Sequence, residues 1–559
     1  MADVKQVQMM DLLNNAAGGA VVLPDFQRDF VWERKQIEEL LNSVINNYFI
    51  GSLLLLESSI DNLRFAPRLI RGVDQNVASS QKHNTLKYVL DGQQRITSLF
   101  YSFFEPNVTL SDETGFICKF YIRPDTMDVI GLADIEDIAR RLRLSADIKK
   151  MFYESYNQTY GIDIKNLPTM NVFKNQLTLD QYFENNPRLS TTAKDNIKSI
   201  FDKIQKCTIP IITLPTTTSD DDIVNILERI NRTGTRLGIF ELAVAKYYPV
   251  GIKLNQLKHE IKTMPFLEFL EDESVLKVMA LLKELEPKPQ NLIRLIEPEK
   301  NSSENQAEFY TLWHEAVKYL EKAFHRIKHT YGAAKIKVGK RNLELIPYTS
   351  MLIPLSVFLR EIEHKGNSKV FFDKVDLWYW LSVFTQRYNH AVDSKSFSDM
   401  RSIRDWINND ETKPDLSITH EHVKNEMLKA ARTSALAKGF YNFLILNSSK
   451  DLLTGQDVKI SECHVDHLFP SSKYRGADCI FNLTLLDKTT NQKKKDKVPS
   501  EFISDCLESH GNDEAKLLST LESHFISRKA LDAMRTNNLD GFIQARSDMF
   551  MDRFKAKVI

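Results

Sequence analysis

What this sequence lacks excludes several classes of protein. No apolar run approaches the roughly 20 residues that a membrane-spanning helix needs. The N-terminus, MADVKQVQMMDLLNN, has no uninterrupted apolar stretch and no cleavage site typical of a signal peptide. The five cysteines form no C-x-x-C pair, which argues against a disulfide framework and against a structural zinc knuckle. These absences predict a reduced, cytoplasmic protein with no membrane partner.

An excess of one charge is also missing, because 74 Lys and Arg balance 74 Asp and Glu. Charge is nevertheless uneven along the chain. Residues 322–341 contain seven Lys or Arg and no acid, and residues 488–497 contain five lysines against one Asp. An isolated run of this kind usually forms a solvated face. The second run lies inside the strongest catalytic motif of the chain, which favours a nucleic-acid contact there.

With 559 residues the chain is too long for one compact core, and its patterns divide it into three parts. Residues 1–250 are predicted to be mixed α/β, and residues 251–408 mostly helical. A polar stretch at 408–417 is typical of a linker and precedes the third part, residues 409–559. Within these parts, hydrophobic periodicity predicts helices over 33–47 and 420–438 and strands over 53–56, 86–90 and 209–214.

The C-terminal part carries polar side chains at the junctions of a predicted strand, loop, strand and helix. Asp466 and His467 end the first strand, Asn482 opens the second, and Asn491 lies at the start of the helix. Phosphodiester hydrolysis needs a water made nucleophilic and a cation that stabilises charge on the phosphate. A His with Asp and Asn oxygens supplies both, and hard oxygen ligands favour Mg²⁺ or Mn²⁺ over zinc.

This segment resembles the HNH, or ββα-metal, endonucleases, in the branch fused to GmrS-like domains. The landmarks D-H-x-x-P, N-L-x-L-L, N-x-K and V-P-S-E occur in that order. The resemblance implies His467 as general base, Asp466 and Asn491 as metal ligands, and Asn482 as the residue that orients the site. Asn491 stands where founding members have His. Contacts to the DNA backbone are expected from three lysines that follow it: Lys493, Lys494 and Lys495.

Two short motifs stand out in the N-terminal part: P-D-F-Q-R-D-F-V-W at 24–32 and D-G-Q-Q-R-I-T-S-L at 91–99. In the second motif a strand ends in a Gly turn that opens a helix, which aims free backbone N–H groups and the positive helix end at an anion. Asp91 is a candidate ligand for a metal or a ribose hydroxyl. Side-chain donors for phosphate or base would come from Arg28, Gln93, Gln94 and Arg95.

Together with E-R-I-N-R-T-G-T-R-L at 228–237, these motifs resemble the ParB-like nucleotidase domain of the GmrS and SspE proteins, from about residue 8 to residue 250. The resemblance implies binding and hydrolysis of an NTP whose type is left open. Phe30 stands where many members have Tyr. For the later segment, a Gly-capped helix end and a role in the site both remain open. The implied site residues are Gln27, Arg28, Asp91, Gly92, Gln93, Gln94 and Arg95.

The chain as a whole resembles single-chain GmrSD-type, SspE-like nucleases of bacteria and archaea. This implies an α+β, largely helical protein with a ParB/sulfiredoxin-like α/β domain over 1–250 that binds nucleotide and senses DNA. A helical middle region over 251–408 would follow, and then an HNH domain over 409–559 with its core at 451–510, set within helices. A homo-oligomer is left open.

The activity that this resemblance implies is phage defence: an NTP-hydrolysing, Mg²⁺- or Mn²⁺-dependent endonuclease that cuts double-stranded DNA, including modified phage DNA. Two alternatives remain at this point. One is a nucleotide-switched DNA-binding clamp whose nuclease site is degenerate, which the intact set of Asp466, His467 and Asn491 argues against. The other is an HNH nuclease that acts on RNA or as a toxin.

Overall fold

The computed structural model describes residues 3–110, 115–161, 163–219, 222–223, 226, 238–296, 302–339, 341–414 and 419–558. It divides into two compact units, unit 1 (residues 1–257) and unit 2 (residues 258–559). The structure is 58% helical, which confirms the predicted α+β, largely helical class. The third predicted motif, at 228–237, lies outside the described residues.

Unit 1 is built around a mixed β-sheet. Its strands are β1 (Asp3–Gln8), β2 (Val21–Pro24), β3 (Leu53–Ser59), β4 (Pro67–Arg68), β5 (Thr85–Asp91), β6 (Cys118–Arg123), β7 (Asp128–Ala133) and β8 (Thr208–Leu214). Among the described residues, six of them form one sheet in the order β1-β8-β3-β5-β2-β4, and β6 and β7 form a separate hairpin. The three strands predicted for this part are confirmed as β3, β5 and β8.

The described helices of unit 1 lie between and after these strands along the chain. They are α1 (Met9–Ala17), α2 (Arg34–Ile45), α3 (Gln75–Ser80), α4 (Gln93–Phe104), α5 (Ile135–Leu142), α6 (Ala146–Tyr160), α7 (Gln176–Asn185), α8 (Thr191–Lys206) and α9 (Ile239–Tyr247), followed by α10 (Leu254–Glu260) at the division between the units. Helices α1, α2, α4 and α8 contact one another and share a hydrophobic core with the strands. Helix α2 forms where the sequence predicts an amphipathic helix, and all of its apolar side chains are buried in that core.

The junction between β5 and α4 depends on Gly92. Its φ of 91° is in the left-handed region that favours glycine. A Cβ added there would lie 2.1 Å from the Leu53 side chain, so a larger residue would also clash. The sharp turn from strand to helix that the sequence predicts is therefore confirmed.

The helices of unit 2 make up most of that unit. They are α11 (Ser274–Leu282), α12 (Pro289–Leu292), α13 (Ser302–His329), α14 (Leu352–His364), α15 (Lys369–Phe384), α16 (Val392–Asn408), α17 (His420–Lys429), α18 (Ala435–Leu446), α19 (Lys488–Lys494), α20 (Pro499–Ser509), α21 (Glu514–Glu522), α22 (Arg528–Arg535) and α23 (Leu539–Val558). In the part of the chain that the structure describes, no helix combines the length and the apolar character needed to cross a bilayer.

Four strands of unit 2 form a second sheet in the order β10-β9-β11-β12. Two of them, β9 (Lys335–Val338) and β10 (Arg341–Glu344), interrupt the middle region that the sequence predicts to be mostly helical. The alternation of polar and apolar residues in K-I-K-V explains the strand, because Ile336 is buried while Lys335 and Lys337 are exposed. The other two strands are β11 (His464–His467) and β12 (Leu483–Leu486).

The predicted linker at 408–417 therefore does not coincide with a division between compact units. Its described residues lie within unit 2, at and after the end of α16. Strand β9, which precedes this stretch, pairs with β11, which follows it. The single helix predicted over 420–438 is also wrong, since α17 ends at Lys429 and α18 begins after Ser434. The Ser434 side chain accepts a hydrogen bond from the backbone of Ala437, so it caps a new helix instead of continuing the old one.

Candidate functional site

The strand, loop, strand and helix predicted around residues 463–495 are confirmed. Strands β11 and β12 are antiparallel, with Asp466 opposite Thr484. The Asp487 side chain accepts a hydrogen bond from the backbone of Thr489 (2.7 Å) and so starts α19 directly after β12. Helix α19 packs against β11. The helix that carries Asn491 thus lies on the strand that carries Asp466 and His467.

His467 is nearly buried, with 7% of its surface exposed, and its ring lies between two carboxylates. Its Nε2 is 3.2 Å from Oδ1 of Asp478, and its Nδ1 is 3.6 Å from Oδ1 of Asp466. A proton on Nε2 would be donated to Asp478 and a proton on Nδ1 to Asp466, so each carboxylate can hold one tautomer of the ring. In the tautomer held by Asp478, Nδ1 is the nitrogen that can accept a proton.

Asp478 was not predicted from the sequence. This residue lies in the loop between β11 and β12 and has no place in the recognised motif. Its Oδ1 is also 3.4 Å from a guanidinium nitrogen of Arg432, in the segment between α17 and α18. No signal in the sequence pairs these residues, because their proximity depends on how unit 2 folds.

Asp466 is arranged to stay ionised. Its Oδ1 accepts the backbone N–H of His467 (2.8 Å). Burial would raise the pKa of Asp466, but hydrogen bonds from His467 and the nearby Lys494 cation outweigh burial, so the pKa is lowered. Oδ1 of Asn491 is buried without a hydrogen-bond partner in the described residues. An unpartnered buried amide oxygen is costly unless a ligand occupies it.

These two oxygens are compatible with a hard cation. Among the described residues, no three His, Cys, Asp or Glu side chains lie close enough together to hold a metal, so a cage made only of such groups is absent there. Mg²⁺ needs fewer protein ligands, since it keeps several waters and binds through one or two carboxylates together with substrate phosphates. The ionised Asp466 and the unpartnered oxygen of Asn491 could serve as these protein ligands.

Asn482 is fully buried and holds the loop between the two strands. Its amide nitrogen donates to the carbonyl groups of Phe469 (2.9 Å) and Ala477 (2.8 Å), and its Oδ1 accepts the backbone N–H of Phe469 (2.8 Å). Both ends of the loop are thereby fixed next to Asp478. Asn482 is a positioning residue that acts through this loop.

The prediction that three consecutive lysines contact the DNA backbone is contradicted for Lys494. Lys493 and Lys495 are exposed, but Lys494 is only 1% exposed and its amine lies 5.9 Å from the centre of the Phe502 ring. Burial lowers the pKa of this amine, while Asp466 opposes that effect. Lys494 is buried while its neighbours are exposed because successive residues of a helix are rotated by about 100° and so point to different faces.

A buried polar network lies behind β12. Arg546 is fully buried and donates to the carbonyl groups of Phe481 (2.7 Å) and Leu483 (2.9 Å). The His524 ring lies 2.6 Å from the hydroxyl of Thr484 and 2.6 Å from the carbonyl of Lys450. Burial lowers the pKa of His524 to about 4, so this ring is neutral at pH 7. The network ties α23 to the strand opposite Asp466.

Unit 1 contains a cavity of about 220 Å³ at the start of α4. Of the seven residues predicted for the nucleotide site, three line it: Arg28, Gln93 and Gln94. Arg68 and Arg71 line it too, and they were missed because they belong to neither motif. Three guanidinium groups and the N-terminal turn of α4 outweigh the lining carboxylate of Asp29, which pairs with Arg68 (2.6 Å), so the cavity has a positive character that suits an anion.

Unpartnered polar atoms surround the cavity. Nε of Arg68 and Oε1 of Gln93 are buried without a hydrogen-bond partner in the described residues, as is Oδ1 of the neighbouring Asp25. Burial raises the pKa of Asp25, although the hydrogen bond from Asn255 opposes that effect. Buried polar atoms of this kind are usually satisfied by a ligand or an ordered water.

Two of the residues predicted for the nucleotide site instead hold the backbone together. The Gln94 amide accepts the N–H groups of Val31 (3.0 Å) and Trp32 (3.3 Å), and it donates to the carbonyl of Asp29 (3.3 Å). The Gln27 amide donates to two carbonyl groups near the end of β5, those of Val89 (2.7 Å) and Leu90 (3.0 Å). Their role here is to fix the 25–33 loop beside the cavity.

Arg95 and Asp91 also engage each other and the backbone. One guanidinium nitrogen of Arg95 donates to the carbonyl of Ile50 (3.0 Å), and another lies 3.3 Å from Oδ2 of Asp91. Gly51 makes room for this contact, because a Cβ there would lie 2.0 Å from the guanidinium. Among the predicted residues that line the cavity, Gln93 donates its amide nitrogen to the carbonyl of Arg28 (2.8 Å) and keeps an unpartnered Oε1, whereas both ends of the Gln94 amide are occupied.

Comparisons with known proteins agree with this two-part arrangement. Residues 9–248 match the family model described as the GmrSD restriction endonuclease N-terminal domain. Residues 450–500 match the model of an HNH endonuclease domain. The chain is also 29% identical over 600 aligned positions to the uncharacterized protein MJ0686 of Methanocaldococcus jannaschii, and the alignment covers 98% of this chain and 97% of that protein.

Proposed function

Because the chain joins a GmrSD N-terminal domain to an HNH endonuclease domain, as in a GmrSD-like restriction nuclease, we propose that it is an NTP-hydrolysing, metal-dependent DNA endonuclease of phage defence. We further propose that it acts in the cytoplasm of a bacterium or archaeon and prefers modified DNA. The observation that carries this proposal is the ββα arrangement, in which Asp466 and His467 on β11 meet the helix of Asn491.

The hydrolytic step that we propose begins at Nδ1 of His467. This nitrogen takes the proton of the attacking water, and Asp478 stabilises the charged ring through Nε2 at 3.2 Å. Asp466 and Asn491 would hold a Mg²⁺ or Mn²⁺, which when bound supplies positive charge to the phosphate and the leaving oxygen. Asn482 keeps Asp478 and its loop in place. General base catalysis of this kind contributes about 10²–10⁴-fold.

The nucleotide-binding role rests on the cavity of unit 1. Its volume of about 220 Å³ is below the roughly 300–1,000 Å³ of most small-molecule sites. We therefore infer that it takes the phosphate groups of an NTP, with Arg28, Arg68 and Gln93 as partners, while the base and ribose lie outside it. An effect of NTP on cleavage would require different NTP affinity for two states of the protein, typically by about 5–150-fold.

The test is cleavage of plasmid and phage DNA, modified and unmodified, with Mg²⁺ and with or without NTP. The wild-type chain should cut DNA only with the metal, and NTP should change the rate. His467→Ala should lose cleavage and keep NTP hydrolysis, whereas Arg28→Ala should lose NTP hydrolysis and change cleavage. Asp505→Ala, a surface carboxylate paired with Lys497, is a matched control that should leave both activities unchanged.

Each alternative outcome has a distinct meaning. DNA binding without cleavage under any metal condition would show that the protein is a nucleotide-switched clamp and not a nuclease. Cleavage of RNA in preference to DNA would show that RNA is the substrate. If Arg28→Ala left cleavage identical at every NTP concentration, nucleotide would have no role in cleavage.

A further inference from the structure

The strands β9 and β10, called here the basic hairpin, belong to the same sheet as the nuclease strands. β9 pairs in parallel with β11, with Lys337 beside His464 and Val338 beside Val465. The backbone N–H of Lys337 donates to the carbonyl of Cys463 (3.1 Å). A segment that lies more than a hundred residues before the nuclease motif thus becomes part of the nuclease sheet.

The basic run that contains this hairpin has two different halves. On α13, Lys322 pairs with Glu363 and Arg326 with Asp376, so these cations are neutralised within the protein. On the hairpin, Lys335, Lys337 and Arg341 are exposed. Within the described residues none of these three is within ion-pair distance of a carboxylate. The net positive charge of the run is therefore concentrated on the hairpin.

The register sets how far these cations lie from the catalytic strand positions. Lys337 is level with His464, and Asp466 lies two residues further along β11. At about 3.3 Å per residue, Lys337 and Lys335 precede the level of Asp466 by about 7 Å and about 13 Å. These spacings correspond to about two and four nucleotide steps of 3.4 Å along one DNA strand. The alternation of strand side chains places both lysines on the same face of the sheet as Asp466.

We propose that the basic hairpin binds the phosphates of duplex DNA on one side of the cut, so that the middle region supplies part of the substrate site. This inference rests on the proposed nuclease function. The contacts would be to phosphate, since lysines on a sheet surface read charge and not base sequence. The hairpin would thereby extend the surface formed by the exposed Lys493 and Lys495 on α19 and just beyond it.

The experiment measures DNA binding by the full chain carrying His467→Ala, which keeps the DNA uncut. A 30-base-pair duplex is titrated with Mg²⁺ present at several salt concentrations, and an RNA duplex of the same sequence is titrated in parallel. The test variant adds Lys335→Gln and Lys337→Gln, since Arg341 lies opposite Val338 and therefore on the other face of the sheet. The control variant removes two other cations of unit 2, with Lys318→Gln and Lys365→Gln.

The hairpin variant should lower the slope of log affinity against log salt by about two units, since each of the two phosphate contacts contributes about 0.9. The control should leave the slope unchanged. Lys337→Gln alone should remove about one unit, and a thermal unfolding midpoint equal to that of the parent would show that the fold is retained.

An unchanged slope in the hairpin variant, with steep binding by the parent, would overturn the inference and leave the nuclease proposal standing. A loss confined to the RNA duplex would also overturn it. If the parent bound no DNA and the wild-type chain cut none, the proposed function itself would fail, and the inference with it.

Discussion

The nuclease site and the N-terminal cavity each contain a motif amide, Asn491 and Gln94, and these two amides have opposite surroundings. Oδ1 of Asn491 is buried without a partner in the described residues, on the helix that packs against the strand of the ionised Asp466. The Gln94 amide is satisfied on both sides by the backbone of the 29–32 segment. An unsatisfied amide in a folded site indicates a place for a ligand, whereas a satisfied amide indicates a scaffold. Motif membership alone does not distinguish the two.

The largest expected effect tests the nuclease half of this comparison. Asp466→Ala should reduce DNA cleavage by about 100-fold or more, because a hard cation would lose its charged ligand. Asn491→Ala should reduce it less and recover partly at high Mn²⁺, since one neutral ligand is missing. Cleavage rates across a metal titration measure both. Asp496→Ala, an exposed carboxylate two residues beyond α19, is the control.

Asn491→Ala should also leave the free energy of unfolding nearly unchanged, because its oxygen makes no hydrogen bond in the described structure. A large loss of stability in this variant would show that Asn491 is a scaffold residue like Gln94, and the contrast between the two sites would disappear.

The second expected effect concerns the stability of unit 2 at low pH. His524 has a pKa of about 4 when folded and about 6.5 when unfolded, so the unfolded chain binds a proton first as pH falls. Stability should therefore be full above pH 6.5 and decrease down to pH 4, by about 3 kcal/mol from this residue. Urea unfolding followed by Trp emission suits the test, since four of the five Trp lie in unit 2.

His524→Gln should be less stable at pH 7.5 and should lose about one proton from the pH dependence between 6.5 and 4. His364→Gln changes an exposed ring and should behave like the wild type. Equal pH dependence in His524→Gln and the wild type would show that His524 is not the group that titrates.

The third effect tests the scaffold half of the comparison. Gln94→Ala should destabilise unit 1 by about 1–3 kcal/mol, because it leaves the N–H groups of Val31 and Trp32 without their acceptor. Hydrogen exchange of the 25–33 segment should become faster. Gln93→Ala loses only one hydrogen bond to this segment, at the carbonyl of Arg28 (2.8 Å), and should weaken NTP binding with a smaller change in exchange. If Gln93→Ala destabilised unit 1 and Gln94→Ala weakened only NTP binding, Gln93 would be the scaffold residue and Gln94 the ligand-binding residue.

The smallest expected effect concerns the exposed lysines beside Asn491. Lys493→Ala and Lys495→Ala should each lower the salt slope of DNA binding by about one unit. Lys494→Ala should leave the slope unchanged and reduce stability, because its stem is buried against Phe502. Equal slopes in all three variants and the parent would show that these lysines form a solvated face without DNA contacts.

Local pattern was enough to predict much of the molecule. The periodicity of α2, the Gly92 turn and the ββα order around Asp466 are all local properties of the chain, and the structure confirms them. Asp478, Arg68 and the basic hairpin were not predicted, because each acquires its position through contacts with residues distant in sequence. The inward turn of Lys494 was missed because a run of identical residues gives no indication of which one faces the core.

The pairing of β9 with β11 has a consequence for how this protein can be divided. A fragment that begins at residue 409 would contain the whole HNH motif but would lose β9 and β10. One side of β11 would then present unpaired backbone N–H and C=O groups, the kind of open edge at which strands of separate molecules join and aggregate. The 409–559 segment should therefore aggregate when it is produced alone, whereas a fragment that begins before β9 keeps the pairing partner of β11.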